Sequence, residues 1–215
     1  MANIITDGSL ATSYSGALSS LDDLLPLVSP FLVGAPEAVQ QQALGLIVRD
    51  FCRETEIWRE TIDLATVADQ ATYDLGAQVG ALYGSLLRVR QIRFDDATSA
   101  LSDEYYTVAE TNHIVFDDTS GVYPDDWGTE MNVDAVILPN ADTRNAPTWL
   151  LARWGEYIAE GALAHLKEQE GKPWTNPDKA AVHRAKYLYG IGEAKREKSA
   201  LRLGGDVRVT PGTFV

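Results

Sequence analysis

The chain has 215 residues, 45% of them hydrophobic, and a net charge of −13, enough apolar material for one ordinary core or for one core plus a small inserted domain. No run of 18 apolar residues occurs and the start lacks a basic region followed by an apolar stretch, so neither a membrane span nor a secretion signal is predicted and the chain reads as soluble and made in a cytoplasm. The charge is segregated: through Pro147, 7 Lys and Arg stand against 23 Asp and Glu, giving −16, whereas from Thr148 onward 11 stand against 8, giving +3. An acidic chain without a basic stripe is a poor match for nucleic-acid phosphates, whose recognition rests on cationic neutralisation.

Residues 1–16 are small and polar without a sustained period and read as an arm. Ser20 and Asp23 resemble a capping box with Asp in the place of Glu, opening a short helix over 21–28 that Pro26 interrupts. From 36 to about 58 the pattern is helical, with Ala43, Leu44, Ile47 and Phe51 on one face and Leu46 and Val48 widening it beyond what one neighbour covers. Cys52 lies inside that pattern and reads as a buried structural thiol.

Residues 61–144 read as β. Short alternating runs occupy 61–67, 71–75 and 131–137, the last stopping at Pro139-Asn140. Over 86–94 the apolar phase slips, because Leu87 and Val89 share one face whereas Ile92 and Phe94 share the other; a β-bulge near Arg90-Gln91 reconciles them. Two strands end alike, at Phe94-Asp95-Asp96 and Phe116-Asp117-Asp118.

The stretch 147–202 reads as a helical hairpin turning through Gly171-Lys172-Pro173-Trp174-Thr175-Asn176-Pro177. On the first helix Leu150, Leu151, Trp154, Ile158, Ala162 and Leu166 share a face, opposite Arg153, Glu156, Glu160 and Lys167. On the second, the predicted inner face is Ala180, Ala181, Ala185, Leu188, Ile191 and Gly192, small enough for close approach to Gly155, Gly161 and Ala162. After two glycines the chain alternates again over 207–215, a strand without a partner of its own, which suits addition to another protein's sheet or groove.

The expected fold class is therefore α+β: a helical bundle of one long N-terminal helix and a C-terminal hairpin (17–60 and 145–203), an inserted antiparallel β region (61–144), an arm (1–16) and an extended tail (204–215). Sites for chemistry are not expected. His113, His165 and His183 are far apart, and no His-x3-His or Cys-x2-Cys spacing occurs. A calcium loop starting at Asp117 fails at position 128, a Gly. The pairs Asp95-Asp96, Asp117-Asp118 and Asp125-Asp126 suit acidic turns better than a glycosidase pair, and no phosphate loop or Gly-x-Ser-x-Gly elbow is present. No catalytic residue, cofactor or metal is assigned. Trp174 in the hairpin turn, with Val182 and Tyr189 outside the inner face of the second helix, are assigned to subunit or tail contacts.

Several stretches carry a family likeness: Leu44-Gly-Leu-Ile-Val-Arg-Asp-Phe-Cys-Arg-Glu-Thr-Glu-Ile-Trp-Arg-Glu60, Val67-Ala-Asp-Gln-Ala-Thr-Tyr-Asp-Leu75, Glu160-Gly-Ala-Leu-Ala-His-Leu166, the turn 171–177, and Val207-Arg-Val-Thr-Pro-Gly-Thr-Phe214. In their order and texture, over roughly 20–215, they resemble the head-to-tail adaptor (head completion, or connector) proteins of tailed bacteriophages. The resemblance implies a virion structural protein at the head–tail junction, assembled in the host cytoplasm. Its copies would form a ring under the twelve-fold portal, with the tail or nozzle protein below and DNA passing through the lumen without specific binding. The C-terminal tail, through Val207, Arg208, Val209 and Phe214, would anchor on portal protein. The alternative is a non-catalytic interaction module of another intracellular assembly, and a third reading is an enzyme whose site is assembled from scattered residues.

Overall fold

The computed structural model describes residues 17–76, 79, 84–94, 101–102, 105–109, 112–116, 130–140 and 144–202. In chain order the elements are β1 (Leu18–Ser20), a 3-10 turn (Leu21–Leu24), α1 (Leu25–Val28), a second 3-10 turn (Ser29–Phe31), α2 (Glu37–Thr55), β2 (Arg59–Ala65), β3 (Thr72–Asp74), β4 (Gly84–Phe94), β5 (Tyr106–Ala109), β6 (His113–Phe116), β7 (Glu130–Pro139), β8 (Asn145–Pro147), α3 (Thr148–Lys167) and α4 (Pro177–Arg202). Among the described residues the strand pairings are all antiparallel, in sheets ordered β1-β8, β2-β7-β4 and β3-β6-β5.

This architecture corrects the expected helical bundle. Among the described residues, four helices and eight strands, with 29% strand, make a mixed α/β fold rather than a bundle built on a long N-terminal helix. The first described element is a strand, β1, closed on β8 immediately before α3. The helix expected as the long N-terminal one, α2, has 19 residues against 26 in α4. The physical reason lies in the core: one hydrophobic cluster takes in Leu44, Phe51, Ile158 and Ile191 from the helices together with Ile92, Phe94, Ile114, Met131 and Val133 from the strands, so burial does not separate a bundle from an insertion.

Local sequence explains the element ends. Ser20 accepts from the Asp22 amide and starts the first 3-10 turn, Pro26 sits in the first turn of α1 where its missing N–H has no helical partner to lose, and Asn176 Oδ1 accepts from the Lys179 amide at 3.0 Å ahead of α4. The phase of α4 differs from the expected one. Ala180, Tyr187, Ile191 and Ala194 are buried, whereas Leu188 is 57% exposed and Ala181 and Ala185 face outward. Tyr187 takes the inner place because its ring tilts against Phe51, 6.2 Å between centroids, while its hydroxyl donates to Asp50 Oδ2 at 2.9 Å. Lys167, expected on the polar face of α3, is buried; its ammonium donates to the Phe31 carbonyl at 2.7 Å and its stem lies in the core.

In the central sheet, register assigns the faces. One carries the rows Glu60–Ala135–Val89, Ile62–Val133–Ile92 and Leu64–Met131–Phe94; the other carries Arg59–Val136–Arg88, Thr61–Asp134–Gln91 and Asp63–Asn132–Arg93. The register shifts between Leu86 and Arg88 and again between Val89 and Gln91. The second shift passes over Arg90 and puts Val89 and Ile92 on one face, which is the bulge the slipped apolar phase calls for.

Helices α2, α3 and α4 meet at Gly161, where an added Cβ would stand 2.6 Å from Ile47 Cγ2 and 2.8 Å from Tyr187 Cδ2. Gly161→Val should therefore destabilise by about 1–3 kcal/mol, lowering the melting temperature by several degrees in calorimetry. Gly45→Ala, at a position with nothing within 4 Å of the new Cβ, should hold or raise it; equal melting of the two variants would show that the helices do not touch at Gly161.

Glu60 faces the interior, accepts from Trp58 Nε1 at 2.9 Å, and has its carboxyl pushed up to about 7 by burial, a shift that the Trp58 hydrogen bond opposes. An acid whose folded value lies above its unfolded one favours the folded state when protonated, so stability should fall as pH rises from about 4.5 to about 7 and then level off. Glu60→Gln keeps an acceptor for Trp58 and should raise stability at pH 8 by roughly 2–3 kcal/mol while leaving it nearly unchanged at pH 4.5. Thermal melts at the two values measure this, and a parallel pH profile for both proteins would remove Glu60 as the cause.

Candidate assembly interfaces

Two solvent-facing regions are built by the elements above. The first is the outer side of the α3–α4 pair. Val182 and Tyr189 are seven residues apart on α4 and 59% and 57% exposed, so they share a face with Ala185 and Lys186 between them. Across from them stands Tyr157 of α3, its ring centroid 6.1 Å from that of Tyr189. Gly190 lets the two helices close here, since a Cβ on it would lie 2.4 Å from Tyr157 Cγ. The result is a groove of about 430 Å³ lined by Glu156, Tyr157, Glu160, Ala185, Lys186 and Tyr189.

Glu160 organises the floor of that groove. It receives His183 Nδ1 at 2.5 Å and Lys186 Nζ at 2.7 Å. Burial alone would raise its carboxyl, but the hydrogen bonds from Lys186 and His183 and their charge outweigh that and hold it below the usual range. Glu156, one turn earlier and exposed, has no ion pair or hydrogen bond among the described residues. The groove thus offers one committed carboxylate, one uncommitted carboxylate and two tyrosine rings.

Trp174, assigned with Val182 and Tyr189 to a contact surface, does not stand on this face. It is half-buried against the core in the hairpin turn, its Nε1 buried without a hydrogen-bond partner among the described residues, while Pro173 beside it lies 3.8 Å from the place of a Cβ on Gly34. Exposed apolar side chains that sequence periodicity did not single out lie instead near the start of the chain: Leu27, Phe31 and Val33, the last 82% exposed, with Phe31 edge-on to His183 at 6.4 Å. The short turns there have no period to betray a face. His165 of α3 is exposed.

The second region is the far face of the central sheet. Arg59 and Arg88 flank Val136 in the register and Val136 is fully covered. Glu56, left-handed at φ 50 as it ends α2, receives Arg88 at 2.6 Å and Lys198 of α4 at 2.8 Å. Burial works against ionisation of Glu56, yet Lys198, Arg88 and Arg90 together hold its carboxyl low. Asp134 is pushed the other way, with burial outweighing Arg90, Arg59 and Arg93 around it.

Val207, Arg208, Val209 and Phe214, the arm 1–16, and Asp95, Asp96, Asp117, Asp118, Asp125 and Asp126 lie outside the described residues. Among those described, no group of three or more His, Cys, Asp and Glu could hold a metal ion, and no helix is long and apolar enough to cross a membrane. Cys52 is fully buried and its thiol is pushed far up by desolvation, which leaves it without thiolate character.

An acid held low stabilises the fold above its unfolded value and loses that contribution as pH falls through its folded one. Glu160→Gln should accordingly cost about 1 kcal/mol at pH 7, and the difference from the unmodified protein should narrow as the pH is lowered from 7 to 3. Melting curves at both values decide it; a deficit that persists undiminished at low pH would mean that Glu160 acts through packing rather than charge.

Residues 15–210 match the family model described as SU10 adaptor protein, and no curated protein matches. The chain belongs to this family of phage head-tail adaptor proteins.

Proposed function

We propose that this chain, as a phage adaptor and so a virion structural protein with portal and tail partners, forms a ring of copies beneath the portal and receives the tail on its lower side, with DNA passing through the lumen. The observation that carries the reading is the family match over residues 15–210. Twelve copies would match a twelve-fold portal. In this reading the protein joins the head–tail junction after synthesis in the host cytoplasm, and its role is mechanical and not catalytic.

Three features support it. The net charge of −13 opposes both self-association before assembly and retention of passing DNA, within a Debye length of about 10 Å at 0.1 M salt. Val182 and Tyr189 expose apolar surface on a helix otherwise rich in charge, as a protein built for contacts does. The sequence of 204–215 alternates as an added strand would, with Val207 and Val209 on either side of Arg208 and Phe214 as a terminal apolar group.

That segment is the proposed portal anchor. Each main-chain hydrogen bond of an added strand contributes about 0.5–1.5 kcal/mol and burial of Phe214 about 1.5–3 kcal/mol, and repetition around a ring turns a modest energy per copy into durable attachment. Deleting 204–215 should leave circular dichroism and melting temperature nearly unchanged and abolish co-sedimentation with portal. Portal binding equal to that of the full chain would refute the anchor, and unfolding of the truncated protein would make the segment an internal strand instead.

A further inference from the structure

The far face of the central sheet gathers cations in an acidic chain. Of the 7 Lys and Arg before Thr148, all arginine, four lie here: Arg59, Arg88 and Arg93 by register, and Arg90 in the bulge between the rows. Lys198 joins them through Glu56. Against these five cations stand Glu56, Asp63, Glu130 and Asp134 among the described residues, an excess of one positive charge on a chain of −13. Arg90 faces both Glu56 and Asp134, and Arg59 and Arg93 also face Asp134, so the guanidinium groups are held by internal carboxylates while Arg88 keeps 54% of its side chain exposed.

We propose that this arginine face docks on the outer groove of α3–α4 of a second copy, with Glu156 and the rings of Tyr157 and Tyr189 receiving a guanidinium. The assignment rests on the ring reading above. The chemistry is complementary: a guanidinium pairs with a carboxylate through two N–H donors and lies flat on a tyrosine ring, and the groove supplies an uncommitted carboxylate beside two such rings. The two faces are different surfaces of one chain, so the contact is head-to-tail, the kind that closes into a ring when the rotation is right. Charge complementarity selects the occupant, because an excess of positive charge on a strongly acidic protein finds its counter-charge on every other copy.

The test is a charge exchange in the full-length protein, read as copies bound per portal by native mass measurement. The double variant Arg88→Glu/Arg93→Glu and the single variant Glu156→Arg, each confirmed folded by circular dichroism, should each bring at least tenfold fewer copies to portal than the unmodified protein. An equimolar mixture should restore the full complement, because every contact then pairs a Glu face with an Arg groove or the native combination. Assembly of either variant at the unmodified level, or failure of the mixture to recover, overturns the contact and leaves the adaptor reading standing. Absence of portal binding by the unmodified protein removes the adaptor reading and this contact with it. Retention of duplex DNA by the unmodified protein on filters, lost in Arg88→Glu/Arg93→Glu, would give the face to nucleic acid and also overturn the proposal.

Discussion

Strand β7 is buried along both faces at its C-terminal half, with Ala135, Val136, Ile137 and Leu138 all in the core, and each main-chain polar group of such a strand must find a partner inside the protein. β2 and β4 provide the ladders on its two sides. The rest comes from the helical side: the Ile137 amide donates to the Trp58 carbonyl at 3.0 Å just after α2, and Arg49 of α2 donates to the Pro139 carbonyl at 2.7 Å. One demand, that of a central strand for partners, thus locks α2 against the sheet and fixes where the chain leaves it toward β8 and α3.

Two polar tips in the helical layer obey the same rule. Lys167 and Tyr187 are carried inward, and each ends on a single acceptor, the Phe31 carbonyl and Asp50. Such residues are tolerated in a core because the polar end is satisfied while the apolar body packs. Glu60 is a costly case, with Trp58 Nε1 as its donor and a carboxyl that burial drives toward the neutral form.

What the sequence disclosed and what it hid follow from range. Helix positions and caps depend on neighbours in the chain, so Asn176 at the start of α4 and the inward stripe of α3 through Leu150, Trp154, Ile158 and Leu166 are legible in periodicity. The bulge at Arg90 is legible too, since a reversal of alternation has to be absorbed somewhere. Facts that depend on distant residues are not. Nothing near Leu188 says that Tyr187 will find Asp50, 137 positions away, and take its place. Nothing near Leu18 says that three residues will pair with 145–147, and this long-range closure together with the shared core turns the expected bundle with an insertion into a mixed fold. Of the candidate contact residues, Val182 and Tyr189 stand out because they lie off the apolar stripe, whereas Trp174 shows how a turn can fold an aromatic under itself. The arginine face needs three strands in register before it exists, and its members are spread over 59–93 with Lys198 far beyond.

The short clasp between β1 and β8 has a mechanical meaning. Leu18 pairs with Pro147 and Ser20 with Asn145, and at the open end Thr148 bonds back to the Ala17 carbonyl through both its amide and its hydroxyl. Because the strands are antiparallel, the segment before Leu18 and helix α3 depart from the same end of the ladder. Tension between them does not shear the pair; it loads the bonds one after another, Thr148 first, and opens the clasp like a zipper. Force applied along α3 and α4 alone bypasses it, so this protein resists pulling very differently according to which of its two ends is held.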